Sequence, residues 1–101
     1  MTSEGSPAAR LRRAIANRSL VQVRSAAAEV AHVDLRDAAA ILALIADAER
    51  GSYEAAAVRW LGRLALERPD IGLEEIGAAL DALEDLPGDA AALVSLRALA
   101  G

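Results

Sequence analysis

Few side chains in this sequence are capable of chemistry, and their spacing limits what they can do. His32 is the only histidine, Asp34 follows two residues on, and there is no cysteine. A metal needs several converging ligands and a nucleophile needs a base within hydrogen-bond reach, so one imidazole without a thiolate supplies neither arrangement. A histidine between a helix end and an N-cap aspartate is expected instead to act as a partial positive charge at the helix C-terminus. The acid pairs Glu74-Glu75 and Glu84-Asp85 fail as cooperating general acids for a geometric reason. Adjacent residues on a helix diverge by about 100° and do not converge on one substrate. No glycine-rich phosphate loop and no serine or threonine beside a base accompanies them. The expectation is a non-enzyme without cofactor, metal or small-molecule substrate.

Arginine is the second chemical resource, since all eleven basic residues are arginine. Residues 1–33 carry five of them against Glu4 and Glu29, whereas residues 67–101 carry eight carboxylates against Arg68 and Arg97. The two ends are expected to attract. Arg10, Arg12, Arg13 and Arg18 could grip nucleic-acid phosphates, and the turn VAHVDLRDA has the placing of a helix-turn-helix. Against that reading stand a net charge of −4 and a following segment, LRDAAAILALI, too apolar to lie in a groove. Arginines solvating a surface helix or pairing with the acidic end are the favoured alternative.

The third resource is SYEAAAVRWLGRLALERP, residues 52–69, which holds both aromatic residues of the chain. Tyr53, Ala57, Trp60, Leu61 and Leu64 recur at helical spacing, with Arg59 and Arg63 to one side and Glu67 four residues after Arg63. One reading makes the stripe core, with Arg63 and Glu67 a surface pair. The other makes Tyr53, Arg59, Trp60, Gly62, Arg63 and Leu66 an interaction surface, because Trp, Tyr and Arg dominate binding hot spots. A mid-helix glycine costs about 1 kcal/mol relative to alanine, so Gly62 suggests a close helix approach on the face opposite the stripe. Ala55 and Leu66 lie near that second face.

The elements that must position these groups are helices. β-branched and aromatic runs of period two are missing, and apolar residues recur at i, i+3, i+4 instead. With Met1 to Gly5 frayed, Ser6 and Pro7 open a helix to about Asn17, and Ser19 with Gln22 forms a capping box for one to about Ala31. Asp34 caps a third, central helix to about Glu49. Gly51 reads as its stop and Ser52 as the cap of the fourth, Tyr53 to about Arg68, which Pro69 ends. A fifth, Leu73 to about Leu86, places Leu73, Ile76, Leu80 and Leu83 inward, and Asp89 caps a last one carrying Leu93, Leu96 and Leu99. Connections of two to five residues favour antiparallel neighbours. The fold expectation is one all-α domain over residues 6–101: a compact bundle or stack of five to six short antiparallel helices. A 38-residue shift aligns Leu35 with Leu73, Ala40 with Ala78 and Leu42 with Leu80, which suggests a helical-hairpin pseudo-repeat.

Apolar residues make up 54% of the chain, much of it alanine, so the core is lean and self-association is one remedy. MTSEGSPAARLRR lacks the order of a secretory signal, and the longest apolar run, Ala38 to Ala46, is far short of the ~20 residues that span a bilayer. Without cysteine, a reducing cytoplasm suits the chain.

The run YEAAAVRWLGRLALERP followed by GLEEIGAALDALEDLPGD resembles a family of short, uncharacterised all-helical actinobacterial proteins with an AAVRW helix, a proline turn and an ALxxLPG ending. The resemblance covers roughly residues 34 to 99 and implies a helical fold, with no activity and no functional residue attached. The leading functional expectation is a cytoplasmic protein–protein interaction or adaptor module, as a homodimer or with another partner. The alternatives are a nucleic-acid-associated regulator using the N-terminal arginines, and an antitoxin-like inhibitor whose acidic half covers a basic protein.

Overall fold

Apolar periodicity punctuated by Ser, Asp, Gly and Pro folds the described residues into six α-helices. They are α1 Pro7–Ala16, α2 Leu20–Ala27, α3 Leu35–Ala48, α4 Arg50–Glu67, α5 Leu73–Asp85 and α6 Ala92–Ala100. The computed structural model describes residues 6–101, and the expected frayed segment, residues 1–5, lies outside them. Among the described residues there is no strand.

Three caps sit where hydroxyl and carboxylate side chains precede apolar runs. Ser6 Oγ accepts from Ala9 N at 3.1 Å, Ser19 Oγ from Gln22 N at 3.3 Å and Asp34 Oδ1 from Asp37 N at 2.8 Å. Each satisfies an amide that the first helical turn leaves without a partner. Between α1 and α2 the chain reverses through Arg18 in the left-handed region, φ 57°. Arg18 N bonds Ile15 O at 3.0 Å and Ser19 N bonds Ala14 O at 3.3 Å, the paired bonds of a Schellman ending.

Several boundaries differ from the sequence expectation. α2 stops at Ala27 rather than near Ala31, because the chain tightens into three-residue turns, with Glu29 N on Ala26 O and Val30 N on Ala27 O, both at 3.1 Å. That lets Val30 and Val33 turn onto the α1–α2 core. Gly51 and Ser52 neither stop nor cap a helix. The α3–α4 corner is Glu49 alone, at φ −140°, ψ 63°, and its carboxylate is gripped by both Arg24 terminal nitrogens at 2.6 and 2.7 Å. Asp89 caps a single turn ahead of α6, its Oδ1 accepting from Ala91 N at 3.0 Å, and the helix proper begins at Ala92.

α3 is the central element, as its apolar circumference predicts. Around it, α3 packs on α4 and α6, and α5 packs on α6 and less closely on α4, closing a four-helix bundle. The α1–α2 hairpin docks on the other side of α3. Two cores result. Leu35, Leu42, Trp60, Leu64, Leu83 and Leu96 lie at the bundle centre with alanines between them. Leu11, Ala14, Leu20 and Val23 meet Leu44 of α3 in the smaller one. Arg36 and Arg68 tie down the end of α6, donating to Arg97 O at 3.0 Å and Leu99 O at 2.7 Å, where cations favour the helix terminus.

α5 is turned differently from the expected stripe. Ala79, Ala82, Leu83 and Leu86 face inward, while Leu73 is 90% and Leu80 45% exposed. Trp60, Leu64 and Leu96 already fill the bundle centre, so alanine rather than leucine fits opposite them at native packing density. The 38-residue echo is therefore not a repeat of packing. Leu35, Ala40 and Leu42 are buried, but their counterparts Leu73, Ala78 and Leu80 are exposed. α3 is covered on two sides and α5 on one.

Candidate functional site

Tyr53, Trp60 and Leu64 are core. Leu64 is wholly buried and Trp60 nearly so, and each polar aromatic atom has an internal partner, as buried Tyr and Trp require. Tyr53 Oη donates to Leu83 O at 2.6 Å, and Trp60 Nε1 donates to Leu35 O at 3.0 Å. Burial pushes the Tyr53 phenol pKa up, with Arg50 opposing. Both aromatic rings are spent mainly on the core, although Tyr53 also lines the α4–α5 cleft.

Arg63 faces inward along its own flank. It donates through Nε to Glu67 Oε2 at 2.8 Å and through Nη2 to Val33 O at 2.6 Å, with His32 Nε2 at 3.2 Å from the same nitrogen. It fastens the α2–α3 connection to α4. His32 accordingly does not cap a helix C-terminus: α2 has ended five residues earlier, and the ring lies against Arg63 and Glu67. Arg59, Gly62 and Leu66 are exposed. A methyl group on Gly62 would meet no atom of another described element within 4 Å, so among the described residues no helix approaches that glycine.

Arg10, Arg12, Arg18 and Arg24 pair with carboxylates in the first half of the chain. Arg10 pairs with Glu29 across the α1–α2 hairpin. Arg12 reaches Asp37 at 3.6 Å, Arg18 reaches Asp47 at 2.6 Å and Arg24 holds Glu49, so three of these pairs bolt the hairpin to α3 and its end. Arg13 lies with Arg10 in the cleft between α1 and α2. The hydrogen bond from Arg24 holds the Glu49 carboxyl below its usual range. Asp37 behaves oppositely: burial, and then Asp34 beside it, raise its pKa against the pull of Arg12. Carboxylates nearer in space, Glu29 just after α2 and Asp37, Asp47 and Glu49 on α3 and at its end, take the place of the end-to-end attraction expected from sequence.

One open feature among the described residues is the seam between α4 and α5, which pack less closely than α3 and α4. A cleft of about 550 Å³ runs there, with Val58 and Leu61 on one wall, Leu80 on the other, and Ala57 and Leu83 beneath. Arg50, Glu54 and Glu84 stand at its rim, with Pro87 at the α5 end. Six large apolar side chains are exposed in the described chain, and four of them, Val58, Leu66, Leu73 and Leu80, belong to α4 and α5. Sequence reading missed Val58 and put Leu73 and Leu80 on one face with Leu83, of which only Leu83 is buried. One signal was present: α5 carries apolar residues on more of its circumference than its acidic flank leaves for one packed face.

Among the described residues no group of three or more His, Cys, Asp or Glu is placed to hold a metal ion, and no helix is long and apolar enough to cross a membrane. Compared with family models, curated proteins and solved structures, the chain finds no match in any of the three.

Proposed function

We propose that this chain is a cytoplasmic, non-enzymatic protein–protein interaction module whose docking surface is the α4–α5 seam. The observation that carries the reading is the apolar cleft between two adjacent helices, with the exposed Val58 of α4 and Leu80 of α5 lining it together with Leu61. Exposed apolar side chains scattered singly need no explanation, whereas a contiguous patch rimmed by polar groups marks an interaction site. A cleft of this volume overlaps the range of small-molecule pockets, about 300–1,000 Å³. Its polar groups, however, do not converge on a ligand: the Tyr53 hydroxyl is spent on Leu83 O, and the remaining charges stand at the rim. Two helices flanking an apolar trough fit another helix better.

Nucleic-acid binding through Arg10, Arg12, Arg13 and Arg18 is the weaker reading, since Arg10, Arg12 and Arg18 are engaged by carboxylates. The test is a paired change at the seam. V58D/L80D alters only exposed positions, so its melting curve is expected to match the parent chain. Its self-association in sedimentation, or its co-purification with a partner from the source cells, is expected to be lost. Unchanged association in the double variant would refute the assignment of this surface.

A further inference from the structure

We propose that the groove between α3 and α4, on the other flank of α4 from the seam, binds a small apolar molecule that ends in one carboxylate. The proposal adds a ligand to the interaction reading above and does not depend on it.

The groove lies where the α2–α3 connection and α4 leave part of α3 uncovered. Leu42 and Trp60 lie at its bottom, 3% and 2% exposed, while Ile41, Ile45 and Ala56 are half-buried along it and Val33 comes to it from the connection. α4 turns Ala56, Trp60 and Arg63 to this groove, and Glu54, Val58 and Leu61 to the seam. Its volume is about 280 Å³. That is nearly twice the ~150 Å³ of an apolar cavity that takes up benzene, so it suits a chain or ring system of roughly eight to twelve carbons.

The polar groups decide what else the ligand carries. Trp60 Nε1 is committed to Leu35 O, and Arg63 to Glu67 and Val33 O. Arg59 is the exception: it is exposed at the groove and forms no ion pair or hydrogen bond among the described residues. No carboxylate lines this groove. The α4–α5 seam, in contrast, carries Glu54 and Glu84, and the α5–α6 groove carries Asp81, Asp85 and Asp89. The α1–α2 cleft also holds arginines, but Asn17, Gln22 and Ser25 line it and leave an apolar body little to bury against. In a chain of net charge −4, the α3–α4 groove is thus an apolar opening that presents an unspent guanidinium and no opposing acid. Apolar walls with one placed polar group make a small-ligand site, and a carboxylate accepting from a guanidinium is a charge-assisted hydrogen bond.

Other occupants fit less well. The lining runs from Ala38 to Ile45 on α3 and from Ala56 to Arg63 on α4, about 10 Å at 1.5 Å per residue. A helix of another protein would seat two turns there and leave the rest of its apolar stripe outside. A cationic amphiphile would set its charge against Arg59, and a neutral one would leave Arg59 unused.

Octanoate, octanol and octylamine share one chain length and differ in the charge at its end. Each is titrated into isotopically labelled chain with NMR detection, and Trp60, the sole tryptophan, gives a second reading by fluorescence. Octanoate is expected to bind in the millimolar range, to shift Val33, Ile41, Ile45 and Arg59, and to change the Trp60 emission. Octanol is expected to bind about two- to fivefold more weakly, as the loss of an exposed ion pair implies, and octylamine more weakly still. R59Q alters an exposed position, so it is expected to keep the fold and to erase the difference between octanoate and octanol, which ~0.5 M salt should narrow in the parent chain. A56L extends a side chain into the groove and is expected to remove the binding of all three; R59Q carries the test alone if A56L does not fold. Equal binding of the three, octanoate shifts centred on Val58 and Leu80 or on α1 and α2, a preference unchanged in R59Q, or no binding of octanoate in the millimolar range overturns the proposal. If octanoate does not bind and a folded A56L loses self-association or a protein partner of the parent, a protein chain occupies the groove and the proposal falls.

Discussion

Replacing Tyr53 by phenylalanine removes a single oxygen from the bundle, and the geometry around it sets the consequence. In a regular helix the Leu83 carbonyl would accept from the amide four residues on. That residue is Pro87, which has no N–H. The buried Tyr53 hydroxyl takes the amide's place, donating to Leu83 O at 2.6 Å. Y53F keeps the ring and its packing but leaves a buried carbonyl unmet, at a cost of about 1–3 kcal/mol. Near 100 residues each kcal/mol lowers Tm by roughly 4–8 °C, so a drop of at least about 4 °C is expected. Urea unfolding read by Trp60, which is 2% exposed in the folded chain, should show a lower midpoint with an unchanged slope. The proline supplies an internal control. In a P87A background an amide is available to Leu83 O, so Y53F should cost less there, and the difference is the coupling between the two sites. A second control is alkaline pH. Burial raises the Tyr53 pKa above its ordinary 10.0, so the folded state holds this proton more firmly than the unfolded state. Its contribution is therefore complete below pH 10.0 and lost as pH rises through the raised value. The chain has no lysine, no cysteine and no second tyrosine, so Y53F should flatten that alkaline decline. A change below about 0.5 kcal/mol, or an equal cost in both backgrounds, would refute the account.

Other substitutions probe other parts of the structure. G62A should stabilise the chain by about 1 kcal/mol in urea unfolding, because Gly62 sits inside α4 with open space where a methyl would go; destabilisation would show that something lies against that face. R18G relieves a left-handed backbone, worth about 1–2 kcal/mol, but gives up the exposed Arg18–Asp47 pair, worth at most about 1 kcal/mol. It should therefore stabilise more in a D47A background than in the parent, and an equal effect in both would show that the pair contributes nothing. Glu49, whose pKa is lowered by Arg24 from its usual 4.5, contributes stability that is present above that value and lost as pH falls through the folded one. E49Q should therefore flatten the acid limb of the stability curve measured by circular dichroism, and superimposable acid limbs would contradict that role for the corner.

Much of the fold was legible in the residues because its signals are local. Ser6, Ser19 and Asp34 precede their helices and bond amides three residues on, an interaction that needs no distant partner. The Tyr53, Ala57, Trp60, Leu64 stripe was legible as a stripe, and its burial follows from its size and spacing. The corner at Glu49 was not, because Arg24 holds it from 25 residues away, and Gly51-Ser52 looks like a stop and a cap to any local reading. The seam failed for a related reason. Leu73 and Leu80 carry the same periodic signal as a core face, and nothing within α5 distinguishes the face that is covered from the face that is not.

The sequence by itself determined an all-helical chain, the position of most helix starts and the aromatic side of α4. These depend on backbone amides near one side chain and on which residues share one helix face. Only the tertiary structure decided how far each helix is rotated about its axis, which carboxylates receive the N-terminal arginines, and that α5 shows leucine to the outside. Periodicity defines a face relative to its own helix alone. Which face becomes the inner one depends on the volume its neighbours leave, and in this bundle Trp60, Leu64 and Leu96 leave room for alanine.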